Sequence, residues 1–117
     1  DSMQFDLAVN VASMQEMNGA TVARYFTFLR SHLRSDNLFY SCNRESKTLP
    51  GGEISEFLSY PWSAEDRHIA DGPCPWHRYF LAPRMASKGP RAFGVRLPIV
   101  NYYDGPHRHR LTVMATD

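Results

Sequence analysis

A large charge excess of one sign is missing from this sequence. Lys and Arg number 13 against 12 Asp and Glu, a formal net charge of +1, which excludes the strong field of a nucleic-acid binder. No apolar run approaches the roughly 18 residues of a membrane-spanning helix. The first residues also lack the basic-then-apolar pattern of a signal peptide. The expectation is a cytoplasmic protein with no nucleic-acid and no membrane partner. Cysteine is scarce: Cys42 and Cys74 are the only two, too few for a disulfide scaffold, and unpaired thiols are the default reading. The 7 glycines form no G-x-G pattern behind a strand, so no loop of the phosphate- or dinucleotide-binding kind is present. Internal repeats are absent as well.

What is present suits one domain of 117 residues, long enough to bury about two-thirds of its unfolded surface. Phe5, Leu7, Val9 and Val11 alternate with Ala8 between them, as in a strand covered on both faces. Val22, Phe26, Leu29 and Leu33 recur at helical spacing and predict a helix over residues 20–34, with Asn18 as its N-cap and His32 and Arg34 at its negative end. A short strand over residues 38–42 follows. Strand, helix and strand at these lengths form a βαβ unit, residues 1–47, whose two strands should be parallel neighbours.

Residues 48–92 read as a loop-rich insertion with one short helix in "EISEFLSYPW", stopped by Pro61. Residues 93–117 read as a C-terminal antiparallel hairpin, "AFGVRLPIV" and "RHRLTVMAT", turning at Asp104-Gly105. Pro98 pushes its strand towards an edge or a bulge. A buried strand only a few residues from the start of the sequence predicts that a neighbouring strand must come from elsewhere.

Ligands of open parallel sheets bind beyond the carboxyl ends of the strands. That rule gathers Asn10, Ser13, Gln15 and Glu16 after the first strand with Asn43, Arg44 and Glu45 after the second. The bland alternative is that Asn and Ser cap the next helix and Glu16 favours its positive end. Tyr60, Trp62, Trp76, Tyr79, Tyr102 and Tyr103 could stack on sugar C–H faces or simply fill a layer over the sheet. Asp71, Cys74 and His77 have metal-ligand spacing, but no second matching pair accompanies them, and no metal is expected. The alternating "HRHR" reads as one solvated strand face.

"FDLAVNVASMQEM", "YFTFLR", "LFYSCNRESK", "EFLSYPW" and "CPWH" together resemble the sugar O-methyltransferases of the class I S-adenosylmethionine-dependent fold, from Phe5 to about His77. The resemblance implies a Rossmann-like α/β sheet of which this chain is the C-terminal half, with Phe5–Val11 as strand four, residues 38–42 as strand five, and the terminal hairpin as the last antiparallel strands. It implies that Asn10 and Ser13 border S-adenosylmethionine, and that Asn43, Arg44, Tyr60 and Trp62 face a sugar or glycan acceptor. Glu16 or His77 would then be the base that takes the acceptor's proton. The family's Gly-rich loop and its acidic ribose ligand have no counterpart here, so the cofactor site is incomplete. The missing N-terminal half, or another chain, is expected at the Phe5–Val11 edge. The alternative is a non-catalytic carbohydrate- or protein-binding module of the same fold.

Overall fold

A computed structural model describes residues 3–76, 79–81, 90–102 and 105–117. The described residues are mixed α/β, mostly sheet with one α-helix. Strand β1 (Phe5–Val11) leads through a 3-10 turn (Met14–Glu16) into helix α1 (Gly19–His32), which passes directly into β2 (Leu33–Arg44). Asn18 caps the helix, its Oδ1 accepting from the Thr21 amide at 2.9 Å, and Arg30 and His32 occupy the last turn, where cations suit the carbonyl end. The helix stops at His32, two residues before the expected end, because Leu33 already has an extended backbone. As expected, β1 and β2 pair in parallel, Leu7 beside Leu38 and Val11 beside Cys42.

Beyond β2 lie β3 (Ser46–Thr48), β4 (Ile54–Glu56) and a 3-10 turn (Phe57–Ser59), then β5 (Arg67–Pro73), β6 (Tyr79–Leu81), β7 (Arg91–Ala92), β8 (Val95–Arg96), β9 (Val100–Tyr102) and β10 (His107–Val113). The main sheet has the order β1-β2-β10-β5. β10 runs antiparallel to both β2 and β5, so β1, β2 and β5 share one direction.

The expected C-terminal hairpin is therefore corrected. β10 is antiparallel as read, but it inserts between two distant strands, while β9 pairs with β6 and β7 with β8. Insertion buries Thr112, and Met114 just beyond the strand, and gives β10 a full ladder on both edges. A hairpin partner would have supplied one. β5 lies within the stretch read as loop. The expected helix in "EISEFLSYPW" is a strand and one 3-10 turn.

The core lies on one face of the sheet. Val22, Phe26 and Leu29 of α1 pack with Phe39, Phe57, Tyr60, Met14 and Met114, and the Phe26 ring meets Phe39 edge-on at 6.0 Å and Trp62 at 5.0 Å. Two buried polar clamps tie the C-terminal end to this core. Asn37 donates to the carbonyls of Arg34 (2.7 Å) and Met114 (2.9 Å) and accepts from the Met114 amide (2.9 Å). Arg30 grips Asp66 with two bonds of 2.7 and 2.9 Å and also donates to the Ala115 and Pro61 carbonyls.

The other sheet face differs from expectation. Leu7, Val9 and Val11 stand beside Leu38, Tyr40 and Cys42, and residues paired this way share a face. Leu7, Val9, Val11 and Leu38 are exposed at 58%, 61%, 43% and 38%, so β1 is covered on one face only by the described residues. β1 is also the sheet edge. A groove of about 320 Å³ runs along it, lined by Phe5, Ala8 and Val9 on one side and Tyr25 and Phe28 of α1 on the other.

Candidate functional site

The carboxyl ends of β1 and β2 do bring the expected polar residues together. The chain leaves β1 through Ala12, whose φ of 57° is left-handed, a sterically costly conformation for a residue with a Cβ. The Ala12 amide donates to Cys42 O at 2.8 Å. This reversal folds the Ser13–Glu16 segment back over the end of β2.

Asn43, fully buried, then organises the loop. Its Nδ2 donates to Asn10 Oδ1 (3.0 Å) and Ser41 Oγ (3.1 Å), and its Oδ1 accepts from the Gln15 amide (3.1 Å). Asn10 Oδ1 also accepts from the Met14 amide, and its Nδ2 donates to Ser13 Oγ. Gln15 Oε1 accepts from the Arg44 amide at 2.8 Å. Both donors and the acceptor of Asn43 are thus committed to protein. Asn43 is a positioning residue for the loop, and the solvent-facing groups of the cluster are those of Ser13 and Glu16.

Glu16 forms an ion pair with Lys47 on β3. That hydrogen bond from the ammonium holds the Glu16 carboxyl below its ordinary value, against a smaller opposing effect of burial. A general base poised near neutrality needs the opposite shift. The Arg44 side chain lies against Gly105, where any Cβ would come within 3.0 Å of its Nη2. Gly105 has a φ of 89°, which a side chain would also resist.

Two expected acceptor-binding residues are placed elsewhere. Tyr60 is 7% exposed and belongs to the core. Trp62 packs against Phe26, Phe39 and Phe57, and its ring also lies 4.6 Å from the Arg110 guanidinium. Their aromatic faces are occupied by protein, so neither presents a stacking platform to a sugar. His77 lies outside the described residues, as does Tyr103.

Two clusters carry no simple sequence signal. Arg108 and Arg110 of β10 converge on Asp71 of β5 at 2.8 and 2.9 Å. Arg108, then Arg110, hold that carboxyl far below its usual range. The "HRHR" run is therefore corrected: His107 and Arg110 are buried rather than forming a solvated face. On the opposite sheet face, Tyr40 Oη lies 3.2 Å from His109 Nδ1, beside Cys42. Cys42 and Cys74 are buried and form no disulfide. Burial, and then the neighbouring Cys74 thiol, push Cys42 up to about 12. Among the described residues no group of three His, Cys, Asp or Glu side chains is arranged to hold a metal ion. Among them, too, no helix is long and apolar enough to cross a membrane. Comparison with family models, with curated proteins and with solved structures gave no match.

Proposed function

We propose that this chain is the acceptor-side half of an S-adenosylmethionine-dependent O-methyltransferase acting on a sugar or glycan hydroxyl, completed at β1 by the polypeptide that carries the cofactor-binding half. The observation that carries the reading is strand order and direction. In a doubly wound sheet the fourth, fifth and sixth strands are adjacent and parallel, and the first lies beside the fourth. Here β1, β2 and β5 run in one direction in that order, with only β10 reversed between the last two. Many such sheets carry one reversed strand at an edge; here the reversed strand lies one place in from the edge. The open edge of β1 and the apolar groove beside it are where the first strand would pair.

The residues of this chain do not by themselves fit the cofactor. Asn43 and Asn10 spend their polar atoms on the loop, and among the described residues no Gly-rich turn or free acidic group accompanies them. Their contribution is one wall, with Ser13 Oγ and the Glu16–Lys47 pair at its rim. Calorimetric titration of S-adenosylhomocysteine tests the reading. The isolated chain should bind weakly or not at all, and the protein expressed from its uninterrupted reading frame should bind at micromolar concentration. Tight binding by the isolated chain, or none by the longer protein, would overturn it.

A second reading is favoured by the paired state of Glu16, the buried state of Tyr60 and the packing of the half-buried Trp62 against the core. In it the same fold half is a non-catalytic module that takes a partner strand at β1. A longer protein that binds no cofactor, yet protects the β1 amides from hydrogen exchange, would select this reading.

A further inference from the structure

The hairpin of β7 and β8 stands apart from every contact used above. Ala92 faces Val95 and Arg91 faces Arg96, so the turn has two central residues, Phe93 and Gly94. Both have positive φ, 51° and 80°, the type I′ geometry that favours Asn-Gly. Gly94 suits it. A bulky aromatic at such a φ is an outlier, and Phe93 gains nothing from packing, because it is 107% exposed. Val95 and Leu97 behind it are exposed at 70% and 38%. The tip therefore holds an aromatic ring in a costly conformation, fully in water, with aliphatic side chains beside it.

The two charged residues that flank this turn are of one sign. Arg91 and Arg96 are directly opposite, where like charges repel. Both are exposed, and neither forms an ion pair with a carboxylate among the described residues. Between residues 72 and 103 the sequence has Arg78, Arg84, Lys88, Arg91 and Arg96 but no Asp or Glu. The near-neutral net charge thus conceals a basic stretch of sequence and an acidic remainder.

We infer that the β7–β8 hairpin is a docking tip for an anionic lipid surface, with Phe93 entering the boundary between headgroups and acyl chains while Arg91 and Arg96 engage lipid phosphates. An exposed ring and aliphatics flanked by cations is the pattern of interfacial membrane binding. Charge complementarity selects anionic over neutral lipid. The aliphatic companions select lipid over nucleic acid, since single-strand binding uses further stacking rings, whereas Val95 and Leu97 partition into hydrocarbon. This contact lies in the plane of the surface and needs no spanning helix. It runs against the expectation of no membrane partner and is independent of the methyltransferase reading.

Co-sedimentation of the 117-residue chain with vesicles tests the inference. Vesicles of phosphatidylcholine with about one-third phosphatidylserine should retain the chain, and pure phosphatidylcholine should not. Binding should fall steeply towards 0.5 M salt, which is well above physiological ionic strength. Phe93→Asn places the residue the turn prefers at that position, so the hairpin is kept and only the anchor is lost; retention should fall about tenfold or more. Arg91→Gln with Arg96→Gln should weaken binding about thirtyfold, near the value of two basic residues at an anionic surface. Equal retention on both vesicles overturns the inference, as does unchanged binding by Phe93→Asn. Retention that a single-stranded oligonucleotide abolishes, or self-association without lipid that the same variants remove, also overturns it.

Discussion

Removing the Asp66 carboxylate should cost this chain a large part of its stability. Its side chain has no exposed surface, and it accepts four hydrogen bonds: two from Arg30, one from the Ser63 amide at 2.7 Å and one from the Ala115 amide at 2.9 Å. Asp66→Ala leaves the Arg30 guanidinium without its counter-ion and two amides without their acceptor. Breaking a buried pair costs about 3–5 kcal/mol. Because the Arg30 side chain keeps 17% exposure and can hydrate in part, the lower end, about 3 kcal/mol, is the expected loss. Urea unfolding at pH 7, followed by tryptophan fluorescence, measures it. The double variant with Arg30→Ala should show a coupling of about 2 kcal/mol.

The pH dependence follows from the same contacts. Burial alone would raise the Asp66 carboxyl, but the Arg30 bonds and the two amides outweigh it and leave it below the ordinary value. A carboxylate lowered on folding contributes fully above its unfolded value, near pH 4, and loses that contribution as pH falls through the folded one. Acid unfolding of Asp66→Ala should therefore be shallower than wild type in that window. A loss under about 1 kcal/mol at pH 7, well below the cost of breaking a buried pair, together with an unchanged acid limb, would refute the clamp as an anchor of the C-terminal segment.

Other substitutions probe the remaining elements. Phe26→Ala, at the meeting point of α1 with Phe39 and Trp62, should lose about 3–5 kcal/mol by the same unfolding assay. Ala12→Gly should gain about 1 kcal/mol, since glycine adopts the left-handed turn without the Cβ penalty; a loss would mean the methyl group packs usefully. Cys42, buried and pushed up to about 12, should react with a thiol reagent at pH 8 only as fast as the chain opens, with a burst on denaturation. Under the proposed function, Glu16→Gln in the completed enzyme should leave methyl transfer to a glycan acceptor largely intact if the Lys47 pair is structural. A loss of a hundredfold or more in turnover would restore Glu16 as the base.

The sequence by itself determined the β1–α1–β2 unit. Its signals are local: alternation in Phe5–Val11, a helical stripe through Val22, Phe26 and Leu29, and a capping Asn18 whose bond spans three residues. Parallel pairing followed, because a helix of that length can return the chain only to a parallel neighbour. The polar cluster was legible for the same reason, since Asn10 and Asn43 end strands already placed side by side.

Tertiary structure decided the rest. β5, "RHIADGP", is a largely exposed edge strand with charge, Gly and Pro, so it has no apolar period to read. β10 forgoes its sequence neighbour because burial between β2 and β5 satisfies both of its edges. Lys47 reaches Glu16 across 31 residues, and Trp62 turns inward where Phe26, Phe39 and Arg110 close around it. Each of these outcomes depends on which distant groups share a buried volume, and that competition leaves no local period in the chain.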